Sequence, residues 1–382
     1  MLIKMLPKPV SILLVIFSAV VLLSSICSKS PKSLTNSCLS PEGKSVDWSI
    51  IYTLPKSSTG DSKKFTYIDN TLKDFTLYEA VEDQFPPLKI ALELNNNKED
   101  NSYLIWNDDP KNGDDKPKYD ESFAHSKGLL SFDSERAVYI IHSLPRFPFR
   151  DQKGKILNKF SSNYGIYGQT FFCMSLDISQ VNSIIDILLS IKPQVILHNV
   201  SVQSQKNKVL QQKIENLLNI KNNLKLSKLV PIRTIGGLEV KVFVENEHGN
   251  LPWDAAIPQH YKDSFYVETW TRPSLLPNIC NKDGVLNMVG IKMMNFSFSN
   301  TDDHSKWGVS VKKNVLCYGD LNRTYRPSEN KDRLGTVACF EHEVSHLVKK
   351  FITDYERCDR EDDNLKFLEP ALSGPGLELA DN

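Results

Sequence analysis

His125-Ser126-Lys127-Gly128-Leu129-Leu130-Ser131-Phe132, then Asp-Ser-Glu-Arg, then Ala137-Val138-Tyr139-Ile140-Ile141, reads as a strand, a turn and a strand. About half a chain later the unit returns. His304-Ser305-Lys306-Trp307 leads into Val309 to Val311, and Lys-Lys-Asn separates that run from Val315 to Tyr318. On a strand, residues i and i+2 share a face with α-carbons about 6.5 Å apart, so each histidine would stand beside its lysine. The chain has eight histidines, and one His-x-Lys would arise about once by chance in such a composition. Two copies of His-Ser-Lys, each heading a hairpin, are read as a repeated unit.

Working outward, the first unit is preceded by an alternating strand, Val46 to Tyr52, ended by Leu54-Pro55. Polar stretches at 95–100 and 108–120 are surface loops. Phe171 to Met174 is a further strand, and Ile184 to Ile191 and Val209 to Ile220 have helical spacing. Residues 203–228 are rich in Lys, Asn and Gln, and the boundary between halves falls at their end. The second half contributes strands at Leu238 to Val244, Val267 to Trp270 and Val289 to Met293, and a helix over Phe340 to Ile352. The expected architecture is α/β, with two halves, 28–228 and 229–382, each a mixed sheet flanked by helices.

The N-terminus reads as a secretory signal peptide over residues 1–27. Lys4 and Lys8 precede an apolar run, Val10 to Leu23, and small or polar residues follow it. That run is shorter than the roughly 20 residues a membrane span needs. Export gives the cysteines meaning. Cys27 falls at the cleavage region, and the remaining Cys38, Cys173, Cys280, Cys317, Cys339 and Cys358 are expected to form three disulfides, for which the spacing alone allows 15 pairings. Asn199, Asn295 and Asn322 head glycosylation sequons. Basic and acidic residues number 46 each, which argues against a protein that coats nucleic acid non-specifically; any phosphate affinity must be local.

Paired histidines flanked by lysines suit phosphodiester hydrolysis. One imidazole attacks phosphorus to form a phosphohistidine; the other, protonated, donates to the departing sugar oxygen and then activates water. The lysines neutralise the non-bridging oxygens, whose charge grows in the transition state. One imidazole must be neutral and one protonated, which favours mildly acidic conditions.

Thr301-Asp-Asp-His304-Ser-Lys-Trp-Gly-Val-Ser, followed by Cys317-Tyr-Gly-Asp-Leu-Asn-Arg, resembles the signature of the deoxyribonuclease II family. Val46-Asp-Trp, Tyr52-Thr-Leu-Pro, Trp106-Asn-Asp, His125-Ser-Lys-Gly, Ile141-His-Ser-Leu-Pro-Arg-Phe-Pro and Tyr167-Gly-Gln-Thr-Phe-Phe-Cys resemble it in order, over nearly the whole mature chain; residues 184–230 resemble it least. The resemblance implies a phospholipase D-like pseudodimer whose halves meet at one active site. It implies a metal-independent acid endonuclease that acts on DNA, leaves 3'-phosphate ends and needs no cofactor, in the lysosome or secreted, as a monomer or homodimer. It carries catalytic roles onto His125, Lys127, His304 and Lys306, with His125 the nucleophile by analogy to the wider superfamily. It implies the disulfides Cys38–Cys173, Cys280–Cys358 and Cys317–Cys339. Asp133 is the acidic residue expected to support the first motif, and Gly319-Asp-Leu-Asn322 resembles a superfamily element that brings Asn322 to the site, unmodified despite its sequon. Gly308 replaces a cysteine found in many relatives.

His342-Glu343-Val-Ser-His346 matches the zinc-protease element His-Glu-x-x-His. The chain after it offers only Glu361 and Glu369 as a third ligand, and the expectation is an exposed helix face with no metal. A catalytically silent binding protein on the same fold is the other alternative; the intact histidines and lysines favour the enzyme. His142 and His198 are expected to be structural, His142 at the cleft because it ends the strand paired with the first motif's strand, and His248 and His260 solvated. Trp253 and Trp270 are expected in the core.

Overall fold

A computed structural model describes residues 36–358, apart from 61–63, 80–83, 97–100, 111–119, 152, 160–165, 248–250, 273 and 325–333. The signal peptide, His248, Glu361 and Glu369 lie outside the described residues. Nineteen strands are described, β1 (Cys38–Leu39) and β2 (Ser45–Val46) forming a small hairpin. The first large sheet comprises β3 (Trp48–Thr53), β4 (Lys64–Asp69), β5 (Thr76–Glu79), β6 (Ser102–Trp106), β7 (Gly128–Phe132), β8 (Arg136–His142), β9 (Gln169–Asp177) and β10 (Val195–Asn199), in the order β10-β6-β7-β8-β9-β3-β4-β5.

The second comprises β11 (Leu229–Arg233), β12 (Glu239–Glu245), β13 (Phe265–Glu268), β14 (Val285–Met293), β15 (Phe296–Ser299), β16 (Trp307–Ser310), β17 (Val315–Gly319), β18 (Gly335–Glu341) and β19 (Ile352–Tyr355). Its order is β11-β12-β18-β17-β16-β13-β14-β15, with β19 paired to β14.

Only the second sheet is mixed. Its one parallel pair among the described strands is β13–β14, whereas every pair of the first sheet is antiparallel. Most neighbours in the first sheet are consecutive strands, whose connections return the chain antiparallel; a parallel neighbour needs a longer crossover, here the stretch between β13 and β14. The path β6-β7-β8-β9-β3 in one sheet matches β13-β16-β17-β18-β12 in the other, in space, in chain order and in antiparallel pairing.

Alternation sorts the strands' side chains into layers. Trp48, Ile50 and Tyr52 of β3, Phe172 and Met174 of β9, and Ala338 and Phe340 of β18 share one core between the sheets, where Phe172 stacks on Phe340 at 5.0 Å. The apolar helix Val181–Ile191 fills the same layer, and each of its fully buried aliphatic side chains contributes about 1.5–3 kcal/mol. Ile51, Phe171 and Cys173 face the other way, against the helix Pro86–Asn96. Phe243, Val337 and Cys339 pack on Trp253 and Ile257 on the far side of the second sheet.

Disulfides join Cys38 to Cys173, Cys280 to Cys358 and Cys317 to Cys339, the last across neighbouring strands β17 and β18. The helix expected over 340–352 is largely replaced. Phe340 and Glu341 end β18, and only Val344–Lys349 is helical. Val337 and Cys339 bury on one face and Ala338 and Phe340 on the other, the requirement of a strand covered on both sides.

Candidate active site

Both His-Ser-Lys triplets lie immediately ahead of their strands rather than within them. Lys127 extends the ladder by one bond, its carbonyl accepting from the His142 N–H at 3.1 Å; the Lys306 carbonyl accepts from Gly319 at 3.0 Å. Two further bonds cross between the sheets. The His125 N–H donates to the Leu334 carbonyl, just ahead of β18, at 2.9 Å, and the His304 N–H donates to the Gly168 carbonyl, just ahead of β9, at 2.8 Å. Each motif is thus tied at its histidine to the matching position of the opposite sheet.

The His125 ring nitrogen Nδ1 lies 2.7 Å from the Asp320 carbonyl oxygen, an acceptor only, so Nδ1 carries the proton and Nε2 the lone pair of the neutral ring. Nε2 lies 3.4 Å from the Asp108 carboxylate, whose other oxygen pairs with Lys127 at 2.7 Å. Ser126 donates to the Asp320 carboxylate at 2.5 Å and accepts from the Trp106 indole N–H at 2.9 Å. Gly128 makes that possible. A Cβ there would stand 2.4 Å from the Trp106 ring and 2.6 Å from the Ile140 carbonyl.

At the second motif, His304 Nδ1 lies 3.2 Å from the Gln169 side-chain oxygen and 3.2 Å from the Lys306 ammonium, which also donates to the His304 carbonyl. Ser305 donates to Asp303 at 2.7 Å, and the Tyr52 hydroxyl donates to the same carboxylate. Trp270 places its ring 4.9 Å from the His304 ring, edge on.

Lys127 and Lys306 are 1% and 0% exposed, a costly burial for two cations. Burial, then the charge of Lys127, holds Lys306 well below the ordinary lysine range. Burial, then the charges of Lys306, Lys127 and His125, holds His304 well below the ordinary histidine range. Groups of both motifs therefore act on one another across the seam. The surrounding acids shift oppositely. Burial raises Glu268 far above the carboxylate range and raises Asp303, while Asp320 is pushed up to about 6 by burial against the opposing Ser126, Thr336 and Lys127. A buried site with two lysines and two histidines favours an anion.

The sequence reading missed several of these residues. Asp108 lies within Trp106-Asn-Asp, Gln169 within Tyr167-Gly-Gln-Thr, Asp303 within Thr301-Asp-Asp and Asp320 within Gly319-Asp-Leu-Asn. All four sit at strand ends next to the histidines. Asp133 lies elsewhere. It occupies the β7–β8 turn, accepts from the Glu135 and Arg136 N–H groups at 2.7 and 2.9 Å, and stands about 20 Å along the strand from Lys127. The carboxylate beside the first motif is Asp108. Asn322 is two residues beyond Asp320, between the packed Leu321 and the fully buried Arg323, with its side-chain oxygen buried. That is a poor setting for a glycan. Asn295 is exposed in the β14–β15 turn, and Asn199 donates to the Asn101 carbonyl at 2.6 Å.

Among the other candidates, His142 is buried, stacked on Phe171 at 5.0 Å and pushed down to about 3 by burial and Lys127. His198 is exposed on β10, not structural, and His260 is exposed. His342 precedes the short helix that carries His346, accepts from the Val344 N–H at 3.1 Å and packs on Trp48, so the two histidines do not share a helix face. Trp253 is in the core and donates to the Leu321 carbonyl at 3.0 Å; Trp270, expected in the core, is half-buried at the site. A Cβ on Gly308 would come within 2.9 Å of the Trp253 ring.

This arrangement has a family. The family model described as deoxyribonuclease II matches residues 37–358, and the chain belongs to the deoxyribonuclease II family. Among its relatives, cell-death-related nuclease 7 of Caenorhabditis elegans is 26% identical over 340 residues, covering 84% of this chain and 88% of that protein. Deoxyribonuclease-2-beta of Rattus norvegicus is 26% identical over 353 residues (85% and 93%). Deoxyribonuclease-2-beta of Homo sapiens is 27% identical over 348 (85% and 92%).

Proposed function

We propose that this member of the deoxyribonuclease II family is an acid endonuclease that cuts DNA without a metal, through a phosphohistidine, leaving 3'-phosphate ends. The observation that carries the reading is the burial of Lys127 and Lys306 beside two histidines held reciprocally across the sheets. These lysines supply the positive charge that a phosphoryl transition state requires. The repeated five-strand path supports a phospholipase D-like pseudodimer with 28–228 and 229–382 as its halves.

The Asp320 carbonyl fixes the tautomer of His125 that leaves Nε2 able to attack phosphorus, which suits His125 as nucleophile. The His125–phosphorus bond forms as the bond to the 5' oxygen breaks, and His304 gives that oxygen its proton. Neutral His304 then takes a proton from water, and the hydroxide that attacks phosphorus frees His125 and a 3'-phosphate. The sign of the pH dependence follows. His304 must be protonated for the first step, and its proton affinity is depressed, so its active fraction rises as pH falls. An entering phosphate offsets the lysine charges and raises that affinity. An acidic compartment suits this chemistry, and the three disulfides fit a lysosomal or secreted protein.

Thymidine 3'-(p-nitrophenyl phosphate) tests the roles, because its leaving group needs no acid. His304→Ala should release one nitrophenolate per protein and accumulate an alkali-stable adduct on His125, and His125→Ala should release none. A burst from His125→Ala instead would reverse the roles; adducts from neither variant nor wild type would exclude covalent catalysis.

A further inference from the structure

We infer that Trp270, with Tyr167 and Arg272, forms a nucleobase-stacking subsite for the nucleotide immediately 3' to the cut. This rests on the nuclease reading above and on His304 serving the departing 5' oxygen.

Register locates the feature. Trp106 pairs with Gly128 in the first sheet and Glu268 pairs with Trp307 in the second, and Gly128 and Trp307 both follow a His-Ser-Lys. Two residues beyond these partners stand Asp108 and Trp270. Where one half sets a carboxylate beside its histidine, the other sets an indole, 4.9 Å from the His304 ring. Core packing does not account for it. Trp48, Trp106, Trp253 and Trp307 are at most 3% exposed, and of the five tryptophans Trp270 alone is not buried.

The indole has company suited to a nucleotide. Tyr167 meets it edge to face at 4.7 Å, and Tyr167 directly precedes Gly168 and Gln169, the two residues that hold His304. The platform is thereby built from both sheets at the same point as the acid. Arg272 is exposed, with its guanidinium 5.2 Å over the Trp270 ring. That indole face is covered by an exposed, flat cation, and a base can take the guanidinium's place while the cation turns to the neighbouring phosphate. Aromatic faces accept every base, so the subsite positions a nucleotide without choosing a sequence.

An oligonucleotide carrying one tetrahydrofuran abasic residue tests this at pH 5 in EDTA, with every cut mapped. Wild type should cut the bond on the 5' side of the abasic residue about tenfold more slowly than the same bond in the intact strand. Trp270→Ala should cut the intact bond about tenfold more slowly and be indifferent to the missing base; Trp270→Phe should recover most of the difference, and Tyr167→Ala should show a smaller loss of the same kind. Equal cutting of intact and abasic bonds by wild type would overturn the subsite. So would an equal loss by Trp270→Ala on both substrates, the mark of a residue that only positions His304. Binding of the labelled strands, read by fluorescence polarisation, separates the two proposals. If wild type cuts nothing, the nuclease reading fails, yet weaker binding of the abasic strand that disappears in Trp270→Ala still supports the platform, and equal binding of both strands by wild type contradicts it.

Discussion

Lys127 and Lys306 are the residues on which chemistry and stability pull in opposite directions. Their burial is unfavourable in the free protein, and under the proposed mechanism it is offset when a phosphate arrives. Lys306→Ala should therefore lower the rate of plasmid nicking about 100- to 1000-fold, with melting temperature unchanged or raised. A fall in rate that tracks a fall in melting temperature would place the lysine in the scaffold instead. Asp320 gives a second test. It is buried and pushed up to about 6, from an ordinary carboxylate value near 3.8. A raised folded value means that the folded state holds the proton more tightly, so this stabilisation is complete below about pH 3.8 and is lost as pH rises through 6. The loss is about 3 kcal/mol. Asp320→Asn keeps an acceptor for Thr336 and Ser126 without the charge, so wild type should gain stability relative to this variant, read as the difference in urea midpoints, as pH falls from 7 to 4.5. His142, buried and pushed down to about 3, acts in the opposite direction: its stabilisation is lost progressively as pH falls below 6.5, and that loss is common to wild type and the Asp320 variant, so it cancels from the difference.

At the scale of elements, the hairpins were readable because each alternates cleanly between a polar head and a polar turn. β7 spans Gly128–Phe132, as the apolar run indicated, and the β16–β17 unit lies where it was expected. The end of β18 was not readable, and a helix over 340–352 was expected in its place. Phe340, Val344 and Val348 have helical spacing, but Phe340 belongs to a strand buried on both faces, which has no period to betray it. The residues that hold the histidines were visible only as parts of longer motifs, because Asp108, Gln169 and Asp320 reach the site through pairing between distant strands. Gly128 belongs to this scale. Gly128→Ala should cost about 1–3 kcal/mol by overpacking and also reduce activity, since Trp106 orients Ser126 and through it Asp320. Chemical denaturation and nicking on the same preparation check both; a variant as stable as wild type would contradict the close approach.

Among the described residues one core lies between the two sheets and a further apolar layer covers the outer face of each, and the candidate site lies where the sheets meet. The repeated motif suggested two related units, but not that the two sheets would share the layer containing Phe172 and Phe340. Cys38–Cys173 closes the longest loop, 135 residues apart, and removing it should cost about 2–5 kcal/mol, whereas Cys317–Cys339, 22 apart, should cost less. Thermal melts of the paired Cys→Ser variants check the ranking.

The most direct test of the account is nicking of supercoiled plasmid at pH 5 in excess EDTA by wild type, His125→Ala and His304→Ala. Nicking by wild type alone, with 3'-phosphate ends, is expected. Cutting that stops in EDTA and returns with a divalent cation, or that persists in both histidine variants, would contradict it.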